Sequence, residues 1–283
     1  MRRHILPTDS FDQARIVFRT PGPKVAAFGD SRVNDGVMRT VDIANFAMPG
    51  DSLATVLGKL EAWLAKNPDG KVIVGVPPQQ FSQARIHANQ EKLLTDFLSD
   101  EDPWLHTLRP NYRRYLISYI RTVIDDPGLL VRVPRETSQT ADTPMTFADL
   151  SADQRRTQAE IRSQHHTPVP GFQNTTLASA LRDRLQALSD AGAELCLVTM
   201  PVSKAYQAAV ASEPSFAGAR TLVSAIANEL GVPHADLWSD YPDDAFANAD
   251  HLAPGGAIQA TRDLLQSCFG MTSMTTTQSM SRP

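Results

Sequence analysis

Cysteine is scarce in this chain of 283 residues, which contains only Cys196 and Cys268. No Cys-x-x-Cys pair is present, so the sequence offers no cysteine-based zinc site. Cys196 stands in an apolar run and Cys268 near the end of a helical pattern. We therefore expect two buried thiols rather than metal ligands, and we predict no metal site.

Long apolar runs are also absent. No stretch approaches the roughly 18 apolar residues of a membrane span. The charged first residues are not followed by the apolar segment that a signal peptide needs. The sequence as given therefore predicts a cytoplasmic protein, and a periplasmic or membrane-anchored protein would require an anchor upstream.

Neither sign of charge dominates, because 27 basic residues stand against 31 acidic ones and the formal net charge is −4. This balance provides no general attraction to nucleic acid or to an acidic membrane surface. No Gly-x-Gly-x-x-Gly motif follows the first apolar run, so a dinucleotide site is not supported. We predict no cofactor and no nucleic-acid partner.

Short apolar runs alternate with helical patterns along the chain. Continuous apolar runs of this length are typical of parallel strands that are buried on both faces. The alternation predicts an α/β fold, with a doubly wound, flavodoxin-like parallel sheet of about five strands. The predicted strands cover residues 25–28, 41–47, 72–76, 195–200 and 232–238.

Four apolar stripes at helical spacing lie between and after these strands. The first follows Asp51-Ser52, which can cap its start, and the second ends before Gly192. The third ends at Gly231. The last is predicted to bury Ile258, Thr261, Leu265 and Cys268.

The alternation is interrupted once, over residues 79–172, which we interpret as a mostly helical insertion. Helices are predicted over residues 90–98 and 112–123, and Ser151 with Gln154 resembles a capping box for a third helix through Arg162. The domain is thus predicted to cover residues 24–270, with an N-terminal extension over 1–23 and a disordered tail over 271–283.

The insertion contains a basic, tyrosine-rich stretch. One interpretation is an amphipathic helix with a packed tyrosine face and a solvated basic face. The other is a groove for an anionic glycan, in which tyrosines stack on sugar rings. His165-His166 is interpreted as a loop. The stretch contains Arg109, Tyr112, Arg113, Arg114, Tyr115, Tyr119, Arg121, Arg132 and Arg135.

Three short motifs fall at the C-terminal ends of predicted strands, where open α/β sheets place their sites. Ser31 follows the first strand within Gly29-Asp30-Ser31, and Gly50 lies between the second strand and the next helix. His251 opens the last helical segment. A serine hydroxyl and a histidine at this edge of the sheet can act as nucleophile and base.

Together these motifs resemble the SGNH/GDSL hydrolase superfamily. The similarity covers residues 24–75 and 195–269, and the string FANADHLAPGGA is nearest to the bacterial envelope-polysaccharide O-acetyltransferase and alanylation branch. The resemblance implies that Ser31 is the nucleophile and His251 its base. It also implies that the backbone N–H groups of Ser31 and Gly50 hold the oxyanion, without a cofactor.

Two positions depart from the family pattern. The acid of the triad falls on Asn248, which can orient a histidine but carries no charge. Asp250 is adjacent to His251, and neighbouring side chains usually point apart. The family's asparagine oxyanion donor is missing, and Gln79 or Gln80 is the candidate that replaces it.

The resemblance implies a serine esterase or O-acyltransferase that acts on an acetyl ester of a carbohydrate through an acyl-serine. Its substrate would be a small ester or a carbohydrate, and a membrane acyltransferase is a candidate partner. A catalytically weak glycan- or partner-binding module is one alternative, which Asn248 favours. A lipid or small-ester esterase is another, and the oligomeric state stays open.

Overall fold

The computed structural model describes residues 10–19, 23–86, 91–99 and 146–271. The chain divides into two compact units, one with residues 1–20 and 95–144 and one with residues 21–94 and 145–283. The predicted helix over 112–123, the arginine and tyrosine stretch and all but the first residue of the predicted tail lie outside the described residues.

A five-stranded parallel sheet forms the centre of the larger unit. Its order is β2-β1-β3-β4-β5, and each strand pairs in parallel with its neighbours. This order is that of flavodoxin-like folds and confirms the predicted fold class. The strands are β1 Val25–Phe28, β2 Ile43–Asn45, β3 Lys71–Gly75, β4 Glu194–Thr199 and β5 His234–Asp236.

The two least regular predicted strands are shorter than expected. The run over 41–47 gives only Ile43–Asn45, because Val41 is 62% exposed and lies outside the core. The run over 232–238 gives only His234–Asp236, since Pro233 has no N–H for a strand ladder. Apolar composition therefore overestimated the length of both strands.

Helices connect and flank the strands, and a short antiparallel hairpin precedes the last helix. The hairpin consists of β6 Phe246–Asn248 and β7 His251–Leu252. The helices are α1 Ser10–Arg19, α2 Ser31–Gly36, α3 Leu53–Leu64, α4 Gln83–Ile86, α5 Glu91–Leu98, α6 Ala152–His166, α7 Thr176–Asp190, α8 Lys204–Val210, α9 Pro214–Leu230 and α10 Pro254–Phe269.

Local sequence signals fix several helix ends as predicted. The hydroxyl of Ser52 accepts the Thr55 N–H at 3.4 Å and starts α3, and Gly231 ends α9 with a φ of +66°. Ser151 and Gln154 form the predicted capping box of α6. This helix runs beyond Arg162 to its end at His166, so the expected loop at His165-His166 was wrong.

The packing of α10 differs from the predicted stripe in one residue. Ile258 is 38% exposed, while Ala257 and Leu264 are buried in the core. Because Ile258 is exposed, the buried face of α10 includes small residues such as Ala257 as well as Leu265. A stripe chosen by size alone therefore misplaced the face near the start of this helix.

Cys196 and Cys268 form a disulfide, so the prediction of two buried thiols was wrong. Cys196 belongs to β4 and Cys268 to the last turn of α10, and the packing of this helix against the strand brings their Cα atoms to 5.5 Å. This separation is ordinary for a disulfide. The sequence separation of 72 residues gave no sign of the contact.

The smaller unit is described only in part. Within it, Arg15 of α1 donates to the carbonyl oxygen of Ser99 at 2.6 Å, and the rings of Phe18 and Phe97 pack with centroids 5.1 Å apart. In both units, none of the described helices combines the length and the apolar character that crossing a bilayer requires.

Candidate active site

Ser31 and His251 meet at the C-terminal edge of the sheet. Ser31 is the first residue of α2, which follows β1 after Gly29 and Asp30, and it is partly exposed. Its Oγ lies 2.8 Å from Nε2 of His251, the first residue of β7. The structure thus brings together the two residues that the sequence proposes as nucleophile and base, although 220 positions separate them.

The turn before Ser31 is built by two neighbouring residues. A Cβ on Gly29 would lie 2.4 Å from Cγ2 of Val33, so only glycine lets α2 start this close to β1. Asp30 is buried and caps α2, because its Oδ1 accepts the Arg32 N–H at 3.1 Å. These contacts leave the side chain of Ser31 at the rim of the site.

His251 has two oxygen atoms beside its other ring nitrogen. Nδ1 lies 3.0 Å from Oδ1 of Asn248 and 3.1 Å from Oδ1 of Asp250. A carboxylate and an amide oxygen accept hydrogen bonds, so this geometry favours a proton on Nδ1. The lone pair of Nε2 then faces the Ser31 hydroxyl, as a general base requires.

The expectation that Asp250 points away from its neighbour His251 was wrong. Oδ1 of Asn248 also accepts the backbone N–H groups of Asp250 and His251, both at 3.1 Å. This triple acceptor tightens the turn between β6 and β7. Because the turn is tight, the consecutive side chains of Asp250 and His251 come into contact with each other.

Two arginines hold Asp250, which is 1% exposed. Oδ2 accepts from Nε and Nη2 of Arg32 at 3.3 and 3.2 Å, and Oδ1 lies 3.1 Å from Nη1 of Arg162. Burial alone would raise the pKa of Asp250, but Arg32, with His251 and Arg162, holds that pKa well below its usual range. Asp250 is therefore a carboxylate at neutral pH.

Residues of α6 and α8 complete this network, and the sequence did not predict their part in the site. The hydroxyl of Tyr206 accepts from Nη2 of Arg32 at 3.2 Å and lies 3.0 Å from Nδ1 of His166. Burial, reinforced by Arg32, lowers the pKa of His166 to about 3, so His166 is neutral. The only sequence signal was the position of Arg32 directly after Ser31.

Comparison of the chain with models of protein families and with curated proteins finds no match. The SGNH/GDSL assignment rests on the motifs and stays a prediction.

Gly50 lies in the turn that follows β2, with a φ of +93°. The turn is closed by the Asp51 N–H on the Met48 carbonyl oxygen at 3.1 Å, and Met48 donates to the carbonyl oxygen of Gly29 at 3.2 Å. These bonds hold the Gly50 turn beside the end of β1. Its role as an oxyanion donor stays a prediction.

The two glutamines that were candidates for a further oxyanion donor are buried and engaged. Nε2 of Gln79 donates to Oδ2 of Asp30 at 2.8 Å, and Nε2 of Gln80 donates to the carbonyl oxygen of Asp51 at 3.0 Å. Both contacts join the segment after β3 to the other strand ends. The oxyanion role of Gln79 stays a prediction, since an amide has a second N–H.

A buried ion pair lies next to the Gly50 turn. Nζ of Lys59 lies 2.7 Å from Oδ2 of Asp51, and the two side chains are almost fully buried. Burial raises the pKa of Asp51 to about 6 and lowers the pKa of Lys59. Within the described ranges, no group of three metal-ligating side chains is found.

Proposed function

We propose that this protein is a serine esterase or O-acyltransferase in which Ser31 carries the acyl group. The observation that supports this most strongly is the 2.8 Å contact between Ser31 Oγ and His251 Nε2. Two oxygen acceptors at Nδ1 leave Nε2 as the basic nitrogen. A partly exposed serine hydroxyl at the C-terminal edge of a parallel sheet is accessible to an ester.

The proposed first half-reaction forms an acyl-serine. His251 takes the hydroxyl proton while Ser31 Oγ bonds to the ester carbonyl carbon, and the carbonyl electrons move onto oxygen. The backbone N–H groups of Ser31 and Gly50 are the proposed donors to this oxyanion. The intermediate collapses, the alcohol oxygen leaves, and His251 Nε2 returns the proton to it.

The second half-reaction regenerates Ser31. His251 deprotonates water or an alcohol acceptor, whose oxygen bonds to the acyl carbon as Ser31 Oγ leaves and regains the proton. Asp250 stabilises the imidazolium that forms in both steps, and Asn248 keeps the turn in place. Water gives hydrolysis, and a sugar hydroxyl gives transfer.

The resemblance to the envelope-polysaccharide branch supports an acetyl group as the acyl unit and a carbohydrate as its carrier. A membrane acyltransferase is the corresponding candidate partner, as a source of acyl groups. A small neutral ester such as p-nitrophenyl acetate tests the chemistry without knowledge of the natural acceptor.

The test is p-nitrophenyl acetate turnover by wild type, Ser31→Ala and His251→Ala. We expect each substitution to reduce kcat/KM by at least about 100-fold, because each removes a group that acts in the transition state. Ser224→Ala is the matched control, since Ser224 Oγ lies 2.8 Å from Nδ1 of His234 in a serine–histidine contact away from the site. Ser224→Ala should keep wild-type turnover.

A fluorophosphonate probe gives an independent readout of the same nucleophile. We expect covalent labelling at Ser31, identified by mass spectrometry of the modified peptide, and no labelling of Ser31→Ala. Equal turnover and labelling in wild type and Ser31→Ala would contradict the proposed function.

A further inference from the structure

Three arginines contact residues of the proposed site. Arg32 is buried and contacts Asp250, while Arg85 of α4 and Arg162 of α6 reach solvent. Arg162 is 39% exposed and contacts Asp250, which itself contacts His251. Arg85 donates through Nη1 to the carbonyl oxygen of Gly50, the proposed oxyanion residue.

Two carboxylates act on these three arginines. Arg32 and Arg162 share the single carboxylate of Asp250. Nη1 of Arg32 has no hydrogen-bond partner among the described residues. The carboxylate of Asp30 also acts on Arg32, so the two guanidinium charges on this side of the site are balanced by two carboxylates.

Arg85 adds a third positive charge, which the carboxylates of Asp250 and Asp30 leave unbalanced. Its contact is with a neutral carbonyl group, and across the described ranges it forms no ion pair. Asp51, which follows Gly50, is paired with Lys59. The carboxylate of Asp30 accepts from Gln79 and from the Arg32 N–H, and its charge acts on Arg32. The partly exposed face of Arg85 is thus available to a ligand.

The charges that act on His166 indicate the sign of the electrostatic potential beside the site. After burial, the charges of Arg32, Arg162 and Arg85 lower the pKa of His166, and the charge of Asp250 raises it. All three arginines therefore act on one point beside the site. A positive potential in a partly enclosed site attracts and orients anions.

We propose that Arg85 and Arg162 bind a carboxylate on the substrate, close to the ester that Ser31 attacks. This inference rests on the proposed function and narrows its substrate class to esters, or alcohol acceptors, of acidic molecules such as an acidic sugar. Guanidinium groups match the geometry of a carboxylate and form strong, charge-assisted hydrogen bonds with it.

The test compares 4-acetoxybenzoate with its neutral methyl ester. The methyl ester carries the same acetyl group on a somewhat better leaving phenolate, so the ratio of the two rates in each variant is compared with the ratio in wild type. In wild type, kcat/KM should be higher for the anion. Arg85→Gln and Arg162→Gln should each lower the ratio of anion to neutral kcat/KM by about tenfold, the loss of one charge-assisted contact. Arg85→Lys should retain part of the preference, and 0.5 M salt should reduce it.

Arg182→Gln is the matched control, because Arg182 is 38% exposed and lies on α7 in an ion pair with Glu229. It should leave the ratio unchanged. Ser31-dependent turnover of both esters at equal kcat/KM in wild type and in the arginine variants would overturn the carboxylate site and leave the proposed function intact.

Equilibrium binding separates the two hypotheses if neither ester is hydrolysed. Isothermal titration of Ser31→Ala with 4-acetoxybenzoate should show binding that weakens about tenfold in the background of Arg85→Gln or Arg162→Gln. Such binding without turnover would support the carboxylate site and contradict esterase activity. No binding by any variant would overturn the carboxylate site.

Discussion

At the scale of single residues, the two oxygen atoms beside His251 Nδ1 have different surroundings. Asn248 Oδ1 accepts two backbone N–H groups of its own turn. Asp250 is buried, charged and held by two arginines. Its charge is therefore suited to stabilise an imidazolium, whereas Asn248 is suited to shape the turn that presents the ring.

Asp250→Asn should reduce both activity and stability. The substitution leaves the buried guanidinium of Arg32 without its counterion, and breaking such a pair costs about 3 kcal/mol of the free energy of unfolding. We expect kcat/KM for p-nitrophenyl acetate to fall by at least about 100-fold, because the imidazolium loses its charge partner. Urea denaturation and steady-state kinetics measure the two effects.

Two further variants separate the roles of charge and shape. Asn248→Asp retains an oxygen acceptor for both N–H groups and should keep kcat/KM within about tenfold of wild type. Asp236→Asn disrupts a partly exposed pair with Arg220 and should cost about 1 kcal/mol or less. Greater loss in Asn248→Asp than in Asp250→Asn would contradict our assignment.

At the scale of elements, the start of α10 depends on a very close approach to the chain before β6. A Cβ on Gly256 would lie 2.2 Å from the carbonyl oxygen of Ala245. The same oxygen accepts the Ala253 N–H at 2.9 Å. The start of α10 and the chain directly after β7 therefore both pack against this one carbonyl group.

Gly256→Ala and Gly255→Ala should have opposite effects on stability. The first forces the helix away from Ala245 and should lower the free energy of unfolding by about 1–3 kcal/mol. The second meets no atom within 4 Å and should raise it by up to about 1 kcal/mol, since alanine favours the helix. Chemical denaturation measures both changes, and equal effects would contradict the close-approach argument.

The element scale also explains what the sequence could predict. The pattern of apolar residues predicted all five strands and the helices α3, α7, α9 and α10, because burial in or against a sheet imposes that pattern. Ser31 and His251 were predictable because both follow strands at the same edge. His166, Tyr206 and Arg162 were not, because they reach the site through the packing of α6 and α8, which no local pattern encodes.

At the scale of the whole molecule, the disulfide joins the interior of the sheet to the last described helix. It connects positions 72 apart in the chain, and closing a loop of that length restricts the unfolded state. Neither cysteine is near Ser31 in the sequence. The disulfide links β4 to α10, the helix that follows the His251 turn.

Removing the disulfide should lower the free energy of unfolding by about 2–4 kcal/mol. The measurement is urea denaturation of oxidised wild type, reduced wild type and the double variant Cys196→Ala/Cys268→Ala. Reduced wild type and the double variant should unfold at similar urea concentrations, below that of the oxidised protein. Identical midpoints for all three would show that the crosslink adds no stability.

The distance along the chain between Ser31 and His251 has a consequence for biosynthesis. Four of the five sheet strands lie between Ser31 and His251, which are 220 residues apart, and the histidine emerges from the ribosome long after the serine. A nascent or prematurely terminated chain therefore has a serine but no base. On the proposed function, ester cleavage begins only after the sheet is complete, so activity in a cell lysate would count finished molecules rather than fragments.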